Sequence, residues 1–149
     1  MGARESLEME VDERDEFLGT GGTGVMSFST PANEAPHSIP VSYGYDASEE
    51  TFYFRLAVSP ESRKQRIVNS VISFVIYGMD GDGWKSVIAS GKLEETNDEA
   101  IATETLQGLE RVTIPLVDFF GKPPGEIHFE FYRLVPDELT GRKESKTPV

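Results

Sequence analysis

The chain has 149 residues, 38% of them hydrophobic and 10% aromatic, which predicts one folded domain spanning 1–149 with a core of useful size. It contains no cysteine, which excludes disulfides, zinc–thiolate sites, iron–sulfur clusters and thiol nucleophiles. A net charge of −12 argues against non-specific nucleic-acid binding, which needs a basic surface. Arg slightly outnumbers Lys, and the acidity fits either simple solubility or adaptation to high salt.

The charged start, residues 1–16, is wrong for a signal peptide and is expected to be an acidic arm or helix. Over residues 6–18, Leu7, Val11 and Leu18 share one helical face, Arg14 interrupts it, and Gly19 stops the helix. No apolar run reaches membrane-spanning length, so a cytoplasmic location is expected. Gly19 to Gly24 matches G-x-G-x-x-G, but a dinucleotide loop needs a strand before it and a helix after it. Here a helical pattern precedes it and the strand-like Val25–Ser29 follows, so the glycines are expected to form a helix stop and a flexible turn.

Two alternating runs predict half-buried strands. In the first, Ile39, Val41, Tyr43 and Tyr45 share a face opposite Ser38, Pro40, Ser42 and Gly44. In the second, Phe52, Phe54, Leu56 and Val58 lie opposite Tyr53, Arg55 and Ala57. Asp46 to Glu50 joins the two as a hairpin loop. Pro40 cannot donate to a ladder, which leaves its stretch locally unpaired or at an edge, with neighbouring backbone groups open to a ligand. Ser59 and Pro60 suit the cap and first position of a short helix. Three cations, Arg63, Lys64 and Arg66, fall within four positions there. Such a knot in an acidic chain points to an anion at a helix start, or to a solvated basic face balancing nearby acids.

Val71 to Tyr77 is nearly all apolar and reads as a central strand buried on both faces. A turn over residues 80–83 leads to a strand from Trp84 to Leu93, bent at Gly91. Thr96 to Glu99 has the form of a capping box for a helix ending near Arg111, with Ile101, Leu106 and Leu109 inward. Pro115 to Phe120 is read as a short helical piece. A last strand, Glu126 to Val135, is expected to point Ile127, Phe129 and Phe131 inward. Residues 138–149 are expected to be a loose polar tail. Six antiparallel strands with peripheral helices make a small closed or split β-barrel the economical mainly-β architecture, because closure removes edge strands.

Among residues that carry chemistry, Trp84 suits the cover of a flat ligand, with Lys85 or Ser86 near its oxygens. Arg55 interrupts an uncharged strand and either snorkels to solvent or faces an anion or a ring. His37 and His128 are isolated from any carboxylate pattern, so no metal site is expected. The nucleophile elbow G-x-S-x-G is absent.

Taken in order, Phe52-Tyr53, Ser62-Arg63-Lys64, Asn69, the apolar run Val71–Tyr77 and Trp84-Lys-Ser-Val-Ile-Ala-Ser-Gly91 resemble the pyridoxamine 5′-phosphate oxidase-like family of FMN-binding split barrels. Ser38-Ile-Pro-Val41 is similar to the second strand of its general flavin-binding members. The resemblance covers Gly24 to Leu93 and, more loosely, Ile127 to Pro136. It implies a six-stranded Greek-key split barrel and a homodimer with FMN at its interface. By it, Arg63 and Lys64 hold the phosphate, and Ser38, Ile39, Pro40 and Val41 border the ring. Tyr53, Phe54 and Arg55 line the cofactor, Ser86 and Val87 contact it, and Trp84 covers the ring from one subunit or the other.

The chain lacks the Arg and Lys that vitamin B6 oxidases carry on the second strand, and Phe54 stands where they have Thr. The resemblance therefore implies a flavin-dependent oxidoreductase of the broader class, acting on a nicotinamide or a small organic substrate. The same fold also serves non-catalytic modules that hold flavin or haem, and reductases that use the deazaflavin F420.

Overall fold

The computed structural model describes residues 6–57, 70–81, 83–96, 102–115 and 129–144. The elements in chain order are β1 (Ser6–Glu8), α1 (Val11–Leu18), β2 (Gly21–Phe28), β3 (His37–Asp46), β4 (Thr51–Ala57), β5 (Val71–Asp80), β6 (Gly83–Glu95), α2 (Ala102–Glu110), β7 (Phe129–Leu134) and β8 (Glu138–Glu144). The strands pair in the order β1-β8-β6-β5-β2-β3-β4-β7, and β6 also pairs with β7. That last contact, Leu93↔Leu134 to Glu95↔Tyr132, closes β2 to β7 into the expected six-stranded ring. Within it β5 returns beside β2 after the β2-β3-β4 meander, the Greek-key order.

The ring's interior is aromatic. Phe52, Phe54 and Phe74 are fully buried, and Phe54 meets Phe74 edge-on with centroids 4.8 Å apart. The expected faces of β3 and β4 hold, with Val41, Tyr43, Tyr45, Phe52, Phe54 and Leu56 all in the core. Helix α1 is tied to the inward tyrosines. The Tyr43 hydroxyl donates to the Leu18 carbonyl (2.8 Å) and the Tyr45 hydroxyl to Asp15 Oδ1 (2.8 Å).

Several expectations are corrected by tertiary pairing. The helix starts at Val11, and Ser6–Glu8 is a strand laid on the edge of β8. Its buried residues are Arg14 and Leu18, while Val11 is exposed. Arg14 is buried against Asp15 (3.0 Å) and Glu50 (3.5 Å). Gly19 does end the helix, at φ 60°.

The glycines after it form no loose turn. Gly21 to Gly24 are paired in β2, each opposite a β3 residue. Residues 138–144 are likewise no loose tail. They pair with Lys85–Ser90 of β6, on an edge that β7 leaves uncovered. In β7 it is Tyr132 and Leu134 that are buried, whereas Phe131 faces out. Ile127, His128 and the start of that strand lie outside the described residues.

Helix α2 turns Thr105 and Gly108 inward and leaves Leu106 exposed, because Tyr53 occupies the space a larger residue would need. The Thr96 hydroxyl donates to the Phe131 carbonyl (2.8 Å), so it is committed to β7. The expected helices at 59–69 and 115–120 lie outside the described residues, apart from Pro115. Among the described residues no helix is long and apolar enough to cross a membrane.

Candidate functional site

Strands β3 and β4 pair from Asp46↔Thr51 to Ser42↔Arg55 and then part. Leu56 and Ala57 stay with β7, while residues 37–41 stay with β2. Among the described residues, no strand covers this edge of β3. The result is a split with backbone along one side. Arg55 stands at its start, where its Nη2 donates to the Pro115 carbonyl (3.1 Å).

From the split an outer face runs across four strands. Register places Ser38, Ser27, Ser73 and Ser90 in one row. Pro40, Val25, Val75 and Ile88 form the next. Tyr77 and Ser86 follow, then Met79 and Trp84. The Ser27 and Ser38 hydroxyls are hydrogen-bonded at 2.8 Å. None of these residues is ionisable near neutral pH, although 27% of the chain is charged. Much of the apolar surface here is open: Val71 is 57% exposed, Tyr77 66% and Ile88 44%. The expectation that β5 is buried on both faces is therefore corrected within one chain. Ile72, Phe74 and Ile76 are buried, but their outward neighbours are not.

The expected site residues divide three ways. Ser38, Pro40, Ser86 and Trp84 lie on the open face, and Arg55 lies at the split. The side chains of Val41, Phe54 and Val87 are buried in the barrel core, and Ile39 packs against it. Strand alternation turns them away from any ligand outside the barrel; the backbone of Ile39 and Val41 lies along the split, whereas Phe54 and Val87 are paired by strands on both sides. Tyr53 is outward but covered by Gly108 of α2. Arg63 and Lys64 lie outside the described residues.

Lys85, considered for ligand oxygens, is instead buried between Asp80 (2.8 Å) and Glu13 (3.4 Å). A recess of about 300 Å³ beside it is lined by Leu7, Glu13, Gly83, Trp84, Lys85, Lys143 and Glu144. Its two lysines are neutralised within the chain, because Lys143 also reaches Glu13 at 2.7 Å. It therefore presents little unmet charge to a ligand.

Residues 111–115, read from the sequence only as a helix end near Arg111 and the start of a helical piece at Pro115, form a strap beside the site. Arg111 donates to Asp46 from Nε (3.0 Å) and Nη2 (2.8 Å). Burial pushes the Asp46 carboxyl up, but the Arg111 and Ser48 hydrogen bonds outweigh it and hold it below its ordinary value. Stability from this group is therefore full above about pH 4 and is lost as pH falls through the lowered value. In acid titrations followed by thermal melting, Asp46→Asn should remove part of the stability lost below about pH 4. An identical acid profile in the variant would refute that role.

The model of the pyridoxamine 5′-phosphate oxidase family matches residues 10–143. The chain belongs to that family. Solved structures similar to this member include the FAD binding protein from Mycobacterium smegmatis, with 18% identity and a TM-score of 0.65 over 93% of this chain and 98% of that one. An FAD-binding protein from Mesorhizobium loti is similar at 18% identity and a TM-score of 0.65, covering 97% of this chain and 100% of that one. The FAD and heme binding protein from Mycobacterium smegmatis is similar at 10% identity and a TM-score of 0.62, covering 97% and 75%. These likenesses show that this pyridoxamine 5′-phosphate oxidase family member has the split-barrel fold. No curated protein matches the chain at a comparable level.

The outer-face rows are what the sequence reading missed. A usable signal was present: residues 71, 73, 75 and 77 of β5 and 84, 86, 88 and 90 of β6 lack charge in a strongly acidic chain.

Proposed function

We propose that this protein is a homodimeric flavoprotein that binds FMN between its subunits and transfers reducing equivalents to or from a nicotinamide or a small organic substrate. The observation that carries the reading is the uncharged outer face beside the split. Burial of an apolar side chain contributes about 1.5–3 kcal/mol, and a two-fold interface uses each one twice. Two copies of a chain of net charge −12 repel, yet the four-strand rows of this face carry no ionisable side chain near neutral pH, and charge begins only at their rim with Lys92, Glu138 and Arg142. A second copy would also give Val71 and Tyr77 the burial that the apolar β5 pattern anticipates.

The described residues fit the ring of a flavin. The β3 edge offers backbone hydrogen bonds, the adjoining face offers uncharged apolar surface, and Ser38 and Ser86 offer hydroxyls. Arg63 and Lys64 would hold the phosphate, as the family resemblance implies. The bound flavin would supply hydride exchange at its ring N5. The chain's own part is to orient the ring, exclude water through the second subunit and set the charge around the site.

The names of all three of these similar structures specify FAD, which contains the FMN unit, so both cofactors belong in the test. A retained, shifted flavin band after FMN or FAD is added and dialysed at high salt supports the reading. Preference for F420 would replace the cofactor, and no retained band would remove it. Arg63→Ala with Lys64→Ala should weaken FMN binding at least roughly 100-fold, since each charge-assisted bond is worth about 1.5–3 kcal/mol. Unchanged affinity in that variant would remove the phosphate assignment.

A non-catalytic carrier role is the second reading, favoured by the similarity to a protein named for both FAD and haem. Rapid reduction of bound flavin by NAD(P)H, followed by turnover on an acceptor, would exclude it.

A further inference from the structure

The strap and α2 are seated in slots made for them. A Cβ on Gly21 would collide with the Thr113 carbonyl, and one on Gly108 with the Tyr53 ring. On Gly44 it would lie 2.6 Å from Val112 Cγ2. Gly21 and Gly44 are register partners, so the strap crosses β2 and β3 at one level. The Thr113 amide donates to the Thr20 carbonyl (3.0 Å). One end of the strap is locked by Arg111 on Asp46, a carboxylate only 2% exposed. The other end accepts from Arg55, which belongs to the last β3–β4 pair before the strands part.

We propose that residues 108–115 are a clamp that pins the start of the β3–β4 split, with Arg111 as the positioning residue that sets the flavin slot from a distance. This rests on the flavin reading above. Arg111 touches neither the β3 edge nor the open face. It acts through Asp46 and the strap on Pro115 and so on Arg55. The slots at Gly21 and Gly44 commit the strap to one path, and Gly108 seats α2 on Tyr53, so a change at Arg111 is carried along the strap to the split.

The test compares wild type, Arg111→Ala and Arg111→Lys by hydrogen exchange and by FMN titration. Arg111 is on the surface, with its side chain 43% exposed, so the alanine variant should fold. Exchange at the Thr113 amide should accelerate in Arg111→Ala. FMN affinity should fall roughly ten-fold, the scale of couplings through packed elements, and iodide should quench the bound flavin more strongly. Arg111→Lys should reverse part of all three effects.

A faster Thr113 amide with unchanged FMN affinity would overturn the coupling, and unchanged exchange would overturn the clamp. Wild-type protein that binds no FMN or FAD overturns the flavin reading and this coupling together. That outcome is distinguishable because it appears without any substitution.

Discussion

Ile88→Glu should convert the proposed dimer to a monomer in sedimentation at native salt, and flavin affinity should fall with it. Ile88 is 44% exposed on the outer face of β6, so the substitution opens no core cavity and the barrel should melt close to wild type. A two-fold contact sets the same patch on both subunits, so one substitution brings two carboxylates into an apolar interface. Burying an unpaired charge costs several kcal/mol per ion even after relaxation, which corresponds to a dimer weakened at least about 100-fold. Ala47→Glu, in the exposed β3–β4 turn, adds the same charge away from this face and should leave the dimer intact. A wild-type protein that sediments as a monomer, or an Ile88→Glu variant that still dimerises, would show that this face is not the contact.

Gly44→Val should be the more damaging change to the fold. A Cβ there would stand 2.6 Å from Val112 Cγ2 and 2.9 Å from Ile114 Cγ1, well inside ordinary contact. The strap must lift or β3 must shift, and overpacking of this kind costs about 1–3 kcal/mol before any loss of burial is counted. For a chain of this size that lowers the melting temperature by roughly 2–4 °C per kcal/mol. Gly81→Ala is the control, because a Cβ there meets nothing within 4 Å. Equal melting temperatures for the two variants would mean that the strap is not seated on Gly44. Since Arg55 is tied to Pro115, loss of the strap should also weaken flavin binding in Gly44→Val.

The residues explain which expectations held. Alternation in 37–45 and 51–57 was readable because the large apolar side chains stand on one face, and that pattern survives any choice of partner, although residues 41–46 and 51–54 proved buried on both faces. Phe131 was assigned inward because Glu126 to Val135 alternates apolar residues on both faces, and a one-residue shift reverses every side chain. Residues 138–144 have a polar composition suited to a tail. They became a strand because β6 offers an edge that no other described strand covers at residues 85–90. Gly21 to Gly24 looked flexible because glycine usually marks turns. Here its lack of a side chain admits neighbouring groups, including the Tyr43 and Phe74 rings.

The candidate site divides along the same line. The residue types it needs, from Ser38 and Pro40 to Arg55 and Trp84, were visible as local exceptions to strand patterning. Which of them face outward was legible for β3 and β4, though naming Phe54, Val41 and Val87 as contacts ran against that alternation. The uncharged face, the split and the strap were not assembled from sequence. Each is formed by residues far apart in the chain, such as Ser38 with Ser90 or Asp46 with Arg111. The sequence by itself determined a small, cysteine-free, acidic mainly-β chain with the family's order of motifs, because composition and period-two alternation are local properties. Only the tertiary structure decided where β3 and β4 part and which surface is left uncharged, because strand register and barrel closure depend on pairings between distant segments.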